Sequence, residues 1–272
     1  MIDGHAHACG RYLKANTIIA ELDKEGVSHV VLVPGEPDSH KEYSLLNFAK
    51  MFPNKNVVKI TNVLSRFVIK MTGAIKTIPS GNEYVYLLNQ VTNGRVIQFF
   101  WITKETKDIE SCLNSKYENW HFKGVKLHQC WEEFSIRSDF FKRTALWCEK
   151  NEIPLFIHLY SDKDVLDLIK YKESHPQLKL IVAHLFGLEL FIDRAYKDDN
   201  IYFDISPYQL NSDERLIKAI DYISARHLLM GSDTPYGKNS LNKSIDRINR
   251  MNISENDKQL ILGENMRNLL GI

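Results

Sequence analysis

Strand-length apolar runs alternate with amphipathic helical stretches along almost the whole chain, and this alternation limits the fold more than any other feature. Eight apolar runs are typical of buried strands: residues 1–8, 29–34, 95–102, 123–128, 153–159, 179–184, 201–205 and 227–231. Five stretches between them have helical periodicity: residues 17–25, 139–150, 163–174, 213–224 and 243–251. Strand–helix alternation indicates βαβ units and a parallel sheet. Eight such units in 272 residues predict an α/β fold of the closed (β/α)8 TIM-barrel type, as a single domain spanning residues 1–272.

The connection after the second predicted strand breaks this rhythm. Residues 35–82 lie between that strand and the next helical stretch, and they include an apolar and basic segment, 57–76. A connection of this length is rarely a plain loop. Two compatible interpretations follow: an extra helical cover that stabilises one barrel mouth, or a lid that sets specificity, because βα loops lie on the active face of a barrel.

The composition is that of an ordinary globular protein. With 35 basic and 34 acidic residues the formal net charge is +1, which gives no electrostatic reason to expect a nucleic acid or a membrane surface as a partner. No apolar run has the length of a membrane span. The four cysteines lack C-x-x-C spacing and are predicted to be free thiols. The first strand begins directly after Met1, so a cleaved signal peptide is not expected, and the sequence predicts a cytoplasmic protein.

The first strand carries two histidines on one face. Asp3, His5 and His7 occupy alternate positions, and side chains two residues apart share one face of a strand. Two neutral imidazoles side by side can chelate one cation. For this pair alone, the alternative is one hydrogen-bonded core histidine and one exposed histidine.

Three further ionisable residues stand at predicted strand ends. His158 points inward at the end of the fifth strand, His184 ends the sixth, and Asp233 ends the eighth. The carboxyl ends of barrel strands are where catalytic residues lie. Imidazoles with one carboxylate suit Zn²⁺ and permit Mn²⁺ or Fe²⁺. The sequence therefore predicts one divalent-metal site at one barrel mouth.

Polar residues on the fourth and seventh strands allow several roles. Lys126 and His128 face inward, and a lysine inside a barrel is costly unless it is paired or functional. Lys126 could pair with Asp3 or Asp204, bind a substrate anion, or become a carbamylated ligand that bridges to a second metal. His128 could be a ligand, a substrate contact or a support for a ligand. Asp204 either orients a ligand histidine or pairs with Lys126.

Successive motifs of the sequence resemble those of the amidohydrolase superfamily. They are His5-Ala6-His7, Gly124-Val125-Lys126-Leu127-His128, Pro154-Leu155-Phe156-Ile157-His158, Ala183-His184-Leu185, Gly231-Ser232-Asp233-Thr234-Pro235, Leu262-Gly263-Glu264-Asn265 and Leu269-Leu270-Gly271. The chain is most similar to the amidohydrolase-related, metal-dependent hydrolase branch, which also contains decarboxylases and lactone hydrolases. The resemblance spans the chain in order, although residues 35–82 carry no matching motif.

This resemblance implies a mostly mononuclear metal site. The implied metal ligands are His5, His7, His158 and Asp233. His184 is implied as a further ligand or as an electrophilic catalyst. Two positions depart from the pattern of the branch: Phe186 replaces a common glycine and Gln129 a common proline, and both should reshape the pocket wall.

The expected activity is hydrolysis of a small amide, lactone or ester by a metal-activated water. Asp233 would act as general acid–base and His184 would stabilise the carbonyl oxygen. The candidate substrate contacts are Lys126, His128, Arg11 and Arg66. The cationic side chains among them would bind a carboxylate group of the substrate. The main alternative is a metal-dependent, non-oxidative decarboxylase of a small unsaturated or aromatic acid.

Two other classes fit the sequence less well. Phosphodiester cleavage in this superfamily relies on a fourth-strand glutamate, where this chain has Lys126 and His128. A non-enzymatic barrel would need a metal with no open coordination position. Barrels of this kind often dimerise, so a homodimer is a further expectation.

Overall fold

Eight parallel strands follow one another around one sheet in the order of the chain. The computed structural model describes residues 1–36, 39–53 and 57–272. The strands are β1 (Ile2–His7), β2 (His29–Val33), β3 (Val96–Trp101), β4 (Gly124–His128), β5 (Leu155–His158), β6 (Leu180–Val182), β7 (Ile201–Asp204) and β8 (Leu228–Leu229). Each strand pairs in parallel with the next.

The first and last strands meet through backbone hydrogen bonds. The amide of Gly4 donates to the carbonyl of Met230 at 2.9 Å, and the amide of Asp233 donates to the carbonyl of His5 at 2.8 Å. We call this junction of β1 with β8 and the residues after it the seam. Eight parallel strands with helices between them form a (β/α)8 barrel, so the predicted fold class is confirmed.

Helices separate the strands. They are α1 (Ala15–Lys24), α2 (Phe48–Met51), α3 (Val58–Thr72), α4 (Ile78–Val91), α5 (Ile109–Trp120), α6 (Asp139–Lys150), α7 (Asp162–Glu173), α8 (Leu188–Asp193), α9 (Asp213–Ile223), α10 (Ser240–Arg250), α11 (Glu255–Gln259) and α12 (Asn265–Leu270). Many begin at a side-chain cap that satisfies a free backbone amide. For example, Ser161 and Asp164 form a reciprocal capping box at the start of α7.

Alternate strand residues pack into two different layers. On β2, Val30 and Leu32 belong to the cluster between the strands and the helices, whereas Val31 and Val33 belong to the cluster inside the barrel. The inner cluster also contains Met266, Leu269 and Leu270 of α12 together with Ile2 at the start of β1. Helix α12 therefore closes the end of the barrel where β1 begins.

Two strand ends that precede site residues, and the pairing of β1, differ from the sequence prediction. Strand β6 ends at Val182 and β8 at Leu229, so His184 and Asp233 lie just beyond their strands rather than at their last positions. On β1 the pairing register shifts between Asp3 and Ala6. This irregularity removes Asp3 from the face that it was expected to share with the two histidines, because such a shift breaks the strict alternation of side chains.

The chain between β2 and β3 contains α2, α3 and α4. Helix α4 packs on β2 and β3, and it begins at Ile78, so the end of the predicted segment 35–82 belongs to this barrel helix. Residues 37–38 and 54–56 of that segment lie outside the described residues. Its role as a lid stays a prediction. Among the described residues, no helix is long and apolar enough to cross a membrane.

Candidate metal centre

The predicted site residues at the strand ends converge on one cavity. It has a volume of about 140 Å³. Its ionisable lining consists of His7, His128, His158, His184 and Asp233. Residues of α3, including Asn62 and Ser65, line the same cavity. The barrel mouth and α3 therefore enclose the site together.

Three of the four predicted ligands come together at the seam. One ligand atom from each of His5, His7 and Asp233 lies within 4.8 Å of the other two. The Oδ1 atom of Asp233 is 3.7 Å from Nε2 of His5 and 3.5 Å from Nε2 of His7. It is buried and accepts no hydrogen bond, which is costly for a carboxylate oxygen.

Hydrogen bonds on the far side of each ring fix the tautomers of these two histidines. Nδ1 of His5 lies 3.2 Å from Oδ2 of Asp204 and 3.1 Å from Oγ of Ser206, and Nδ1 of His7 lies 2.9 Å from the carbonyl oxygen of Pro34. A carbonyl or carboxylate accepts the proton of Nδ1, so Nε2 of each ring keeps its lone pair. Both lone pairs point toward the Asp233 side of the cavity.

A divalent cation fits this donor set. Two Nε2 lone pairs and the unpartnered Oδ1 of Asp233 are three acceptors that face one another, and the donor beside them is Nζ of Lys126, 3.2 Å from Nε2 of His5. Burial lowers the pKa of His5 well below its usual value, so its imidazole is neutral, as metal binding requires. Burial alone would raise the pKa of Asp233, and positive charge on the His5 and His7 side, from a proton or a bound cation, holds it below its usual range.

A close approach of three strands positions the group of His5, His7 and Asp233. A Cβ added to Gly231 would lie 3.0 Å from Cβ of His5 and 3.1 Å from Oδ1 of Asp204. Such contacts are tighter than ordinary van der Waals packing. Glycine at this position lets the end of β8 pass close to the side chains of β1 and β7.

Asp204 supports two histidines at once. Besides accepting from Nδ1 of His5, its Oδ2 accepts the backbone amide of His184 at 3.1 Å. Nδ1 of His184 in turn lies 2.6 Å from the carbonyl oxygen of Ser206. Burial raises the pKa of Asp204 above its usual value, although His184 and Ser206 stabilise its charge. Its contacts are with the histidines rather than with Lys126.

His184 and Asp233 both adopt left-handed backbone conformations. Their φ values are +58° and +50°. Residues other than glycine rarely occupy this region, and strained backbone is concentrated at functional sites. In both cases the turn lies directly after a strand, where it directs the side chain into the cavity.

His158 does not join the seam group. Its Nδ1 lies 3.1 Å from Nε2 of His184, and its Nε2 lies 2.8 Å from Oδ1 of Asn62. The amide of Asn62 is oriented by its Nδ2, which donates to the carbonyls of Leu159 and Tyr160 at 3.0 and 3.1 Å. Nε2 of His158 is therefore the protonated nitrogen, and its Nδ1 faces His184 as an acceptor.

The contact between His158 and His184 needs a proton or a cation. In the tautomers that their outer partners select, Nδ1 of His158 and Nε2 of His184 are both acceptors at 3.1 Å. Two lone pairs repel each other at this distance, so the pair is stable when one imidazole carries an extra proton or when a cation lies beside both. Burial lowers the pKa of His158 well below its usual value, which disfavours a proton on that ring.

His128 presents a donor rather than a lone pair. Its Nδ1 accepts the backbone amide of Cys130 at 3.2 Å, so Nε2 carries the proton. The ring stacks on that of His158 with centroids 3.9 Å apart, and burial lowers its pKa well below the usual value. Cys130 lies beside both rings, but burial raises the pKa of its thiol to about 12, so it stays protonated.

Lys126 is fully buried and lies beside the seam. Its Nζ is 3.2 Å from Nε2 of His5 and 3.7 Å from the ring centre of Phe156. Burial lowers its pKa to about 7, against the opposing charges of Asp233 and Asp204. The alternative pairing with Asp3 is not formed, because Asp3 accepts from the hydroxyl of Tyr12 and the amide of Ser232.

The two predicted arginine contacts have partners of their own. Arg11 forms ion pairs with Glu21 at 2.8 Å and Glu42 at 2.7 Å, and it lines a separate surface cavity. Arg66 on α3 donates to the carbonyl of Gln129 at 2.8 Å, and its guanidinium stacks on the ring of Tyr160. Arg11 is therefore engaged by its own carboxylates, whereas Arg66 keeps one buried donor, Nε, without a partner.

Sequence reasoning anticipated Asp204 as a group that orients a ligand histidine but missed the other such groups. Asn62, Ser206 and the carbonyl of Pro34 carry no motif, and their roles depend on contacts between distant segments. The one available signal was Asn62, a polar residue among the apolar residues of segment 57–76. The two residues expected to reshape the pocket wall do not line the cavity: Phe186 is fully covered in the layer between the strands and the helices, and the side chain of Gln129 holds Tyr160, Phe134 and Asp164.

Comparison with known proteins places the whole chain in one family. The amidohydrolase family model matches residues 2–272. No curated protein matches the chain at the level of sequence.

Solved structures share the fold at low sequence identity. A "probable 2-pyrone-4,6-dicarboxylic acid hydrolase" from Acinetobacter baumannii is similar over 100% of this chain and 99% of its own, with 14% identity and a TM-score of 0.66. A 2,6-dihydroxybenzoate decarboxylase from Rhizobium covers 99% of this chain and 98% of its own, with 15% identity and a TM-score of 0.69. A dihydroxybenzoic acid decarboxylase from Polaromonas sp. JS666, with bound manganese, covers 99% and 96%, with 14% identity and a TM-score of 0.67.

Proposed function

The chain belongs to the amidohydrolase family and is a metal-dependent enzyme of that superfamily, and from this premise we propose that it hydrolyses a small amide, lactone or ester. The observation that carries the proposal is the set of three unprotonated acceptors at the seam, where a buried carboxylate oxygen of Asp233 has no hydrogen-bond partner. Such a set is stable with a cation and costly without one.

We assign the metal to His5, His7 and Asp233, with His158 or His184 as a further ligand. Imidazole and carboxylate donors favour Zn²⁺, and Mn²⁺ or Fe²⁺ suit the same donors. When bound, a divalent cation lowers the pKa of a water molecule to ~7 and polarises a carbonyl group. A second metal would require carbamylation of Lys126. Burial lowers the pKa of Lys126 to about 7, so the neutral amine that carbamylation needs is populated near neutral pH.

Asp233 is the proposed general acid–base. With Oδ1 facing the metal position, the second carboxylate oxygen would accept a proton from the attacking water and later return it to the leaving group. The pKa of Asp233 lies below its usual range, so the carboxylate begins the reaction ionised.

Two histidines would bind the substrate oxygen atoms. Nε2 of His184 faces the cavity and would stabilise the carbonyl oxygen as negative charge develops there. The ring of His128 accepts the amide of Cys130 at Nδ1, so its Nε2–H is available to a second oxygen. For a substrate that carries a carboxylate, Lys126 would be the cation nearest the seam, and the unpartnered Nε–H of Arg66 is a second candidate.

The enclosed cavity supports a small substrate. Its volume of about 140 Å³ is below the range of ~300–1,000 Å³ for pockets that bind drug-sized ligands.

We place the enzyme in the cytoplasm, because all four cysteines are free.

Decarboxylation of a small aromatic or unsaturated acid is the second candidate. Two observations favour it: Trp101 stacks on His128 at the inner wall, and Lys126 supplies a cation nearby. Decarboxylases with this fold act on dihydroxybenzoates, which combine a ring with a carboxylate. Release of carbon dioxide without hydrolytic fragments would select this reaction.

The proposal is tested by metal analysis and by substitution of Asp233. Protein purified without added metal should contain about one equivalent of a divalent transition metal. Asp233→Asn should lower turnover of an identified lactone, ester or amide by about 10²–10⁴-fold. An Asp233→Asn variant with full metal content and full turnover would contradict the assignment.

A further inference from the structure

Helix α3 turns a row of apolar side chains away from the barrel. At helical spacing along its outer side it presents Ile60, Val63, Leu64, Phe67, Val68 and Met71. Phe67 is 67% exposed and Met71 is 74% exposed. We call these six residues the α3 face. The opposite side of the helix holds Asn62 against His158 and Arg66 against Tyr160, so the orientation of the helix is fixed.

The α3 face is far larger than an ordinary patch on a monomer. Six side chains of this size at these exposures present about 700 Å² of apolar surface, against ~300–600 Å² for the largest patch on a typical monomeric protein. A standard protein interface buries ~800 Å² on each partner. The area is therefore close to what a stable dimer needs.

Outside residues 46–91, the exposed large hydrophobic residues among those described are Leu146, Ile217 and Ile272, which lie on different elements. Within that range α4 exposes a shorter row, Tyr84, Leu87 and Val91, so the α3 face is the longest exposed apolar row among the described residues. A second copy of the chain can cover it with the same face, without a second kind of surface. A contact of one patch with itself is twofold symmetric and closes at two subunits.

The charges around the α3 face are satisfied within the chain. Lys59 pairs with Asp162 at 2.6 Å, Lys70 pairs with Glu133 at 2.7 Å, and Arg66 lies 3.4 Å from Glu133. The helix has no acidic residue. Each of its basic side chains is paired with an acidic residue of the chain, whereas anionic lipid head groups attract free lysine and arginine beside an apolar face.

We propose that the α3 face is the interface of a symmetric homodimer, in which the same face of a second copy covers it. Its neutral and apolar composition resembles that of permanent homodimer interfaces. Because the inner side of α3 lines the cavity of its own subunit, this contact would hold each α3 against its own barrel mouth.

Sedimentation velocity of the full chain tests this proposal. The wild-type protein should sediment as a dimer at micromolar concentrations. Phe67→Glu places a charge at the centre of the face and should raise the dimer dissociation constant by at least about 30-fold, as expected for an interface hot spot. Leu146→Glu on α6 is the matched control, since Leu146 is also exposed, at 48%, and should leave the constant unchanged.

Hydrogen exchange on the wild-type protein gives a second readout that no variant can confound. The amides of residues 58–72 should become more protected as concentration rises through the dimer dissociation constant. A wild-type monomer at all concentrations would overturn the proposal, as would a dimer that Phe67→Glu leaves intact. Binding of a monomer to phosphatidylcholine–phosphatidylserine vesicles through α3 would replace it with a membrane-binding role.

Discussion

The two sides of the cavity hold their histidines in different ways. At the seam, His5 and His7 are oriented by Asp204 and by the carbonyl of Pro34, which belong to strands of the barrel or directly follow them. Across the cavity, His158 on β5 is oriented by Asn62 of α3, a helix outside the ring of strands.

One half of the site is therefore rigid, whereas the geometry of the other half depends on the position of α3. The seam groups cannot move without breaking the sheet, so their lone pairs stay aligned. The orientation of His158 depends on a few polar contacts of α3, chiefly those of Asn62 and Arg66. We therefore expect metal retention to depend mainly on the seam, and the fit of the substrate to depend on α3.

The largest effect should follow loss of a seam ligand. His7→Ala should lower metal affinity more than about 100-fold, since even loss of a supporting partner costs 10–100-fold. Competition with a chelator measures this affinity. The exposed histidine His40 provides the control, because His40→Ala should leave metal content unchanged. If His158→Ala proved as damaging as His7→Ala, the two halves would not differ as described.

Loss of the support beneath the seam should be the next largest effect. Asp204→Asn weakens the acceptor that holds His5 and His184, and it should lower metal affinity about 10–100-fold. Ser206→Ala removes one hydroxyl but leaves the carbonyl that holds His184, so it should cost less. The same chelator titration compares the two variants. Equal losses would mean that the carboxylate has no special role.

A smaller effect is expected from Asn62→Leu. The variant frees Nε2 of His158 without touching the seam, so it should lower metal affinity no more than about 10-fold, while KM for an identified substrate rises. Asn82→Leu is the matched control, because Asn82 is also a buried amide, bonded to the backbone of Trp101 rather than to a histidine. Both should lose stability, but Asn62→Leu alone should change KM.

The smallest effect concerns Glu132, which follows β4 on the α3 side. Burial raises its pKa to about 7, and one of its oxygens has no partner. The folded state thus binds this proton more tightly than the unfolded state, so the free energy of unfolding falls as pH rises from about 5 to about 8. Glu132→Gln removes the charge and should be more stable than wild type by about 2 kcal/mol at pH ~8 but not at pH ~5. Urea unfolding at both pH values checks this, and a pH-independent difference would contradict it.

The barrel and the strand-end residues could be predicted because both depend on local patterns. Alternating apolar positions identify strands, and an ionisable residue at the end of such a run is anomalous wherever it occurs. His5, His7 and Asp233 were found in this way, and the structure brings them together.

The remainder depends on contacts that no local pattern encodes. The register shift on β1 moves Asp3 to Tyr12 and Ser232, although its spacing matches that of the histidines. Arg11 is engaged by Glu21 and Glu42, which a search for free cations cannot anticipate. The hydrogen bond from His158 to Asn62 joins residues 96 positions apart, so it is visible only in the folded chain.

The seam determines the stage of folding at which the site forms. The bond between Asp3 and Ser232 spans 229 positions of the chain, and the adjacent His5 and Asp233 meet at the same junction. A chain that is still being synthesised would have made His5 and His7 long before their carboxylate partner exists. The proposed metal ligands can therefore assemble only when the last strand joins the first, late in folding, since contacts so distant in sequence form slowly. A cation bound there would stabilise the closed barrel relative to folding states in which β8 has not yet joined β1.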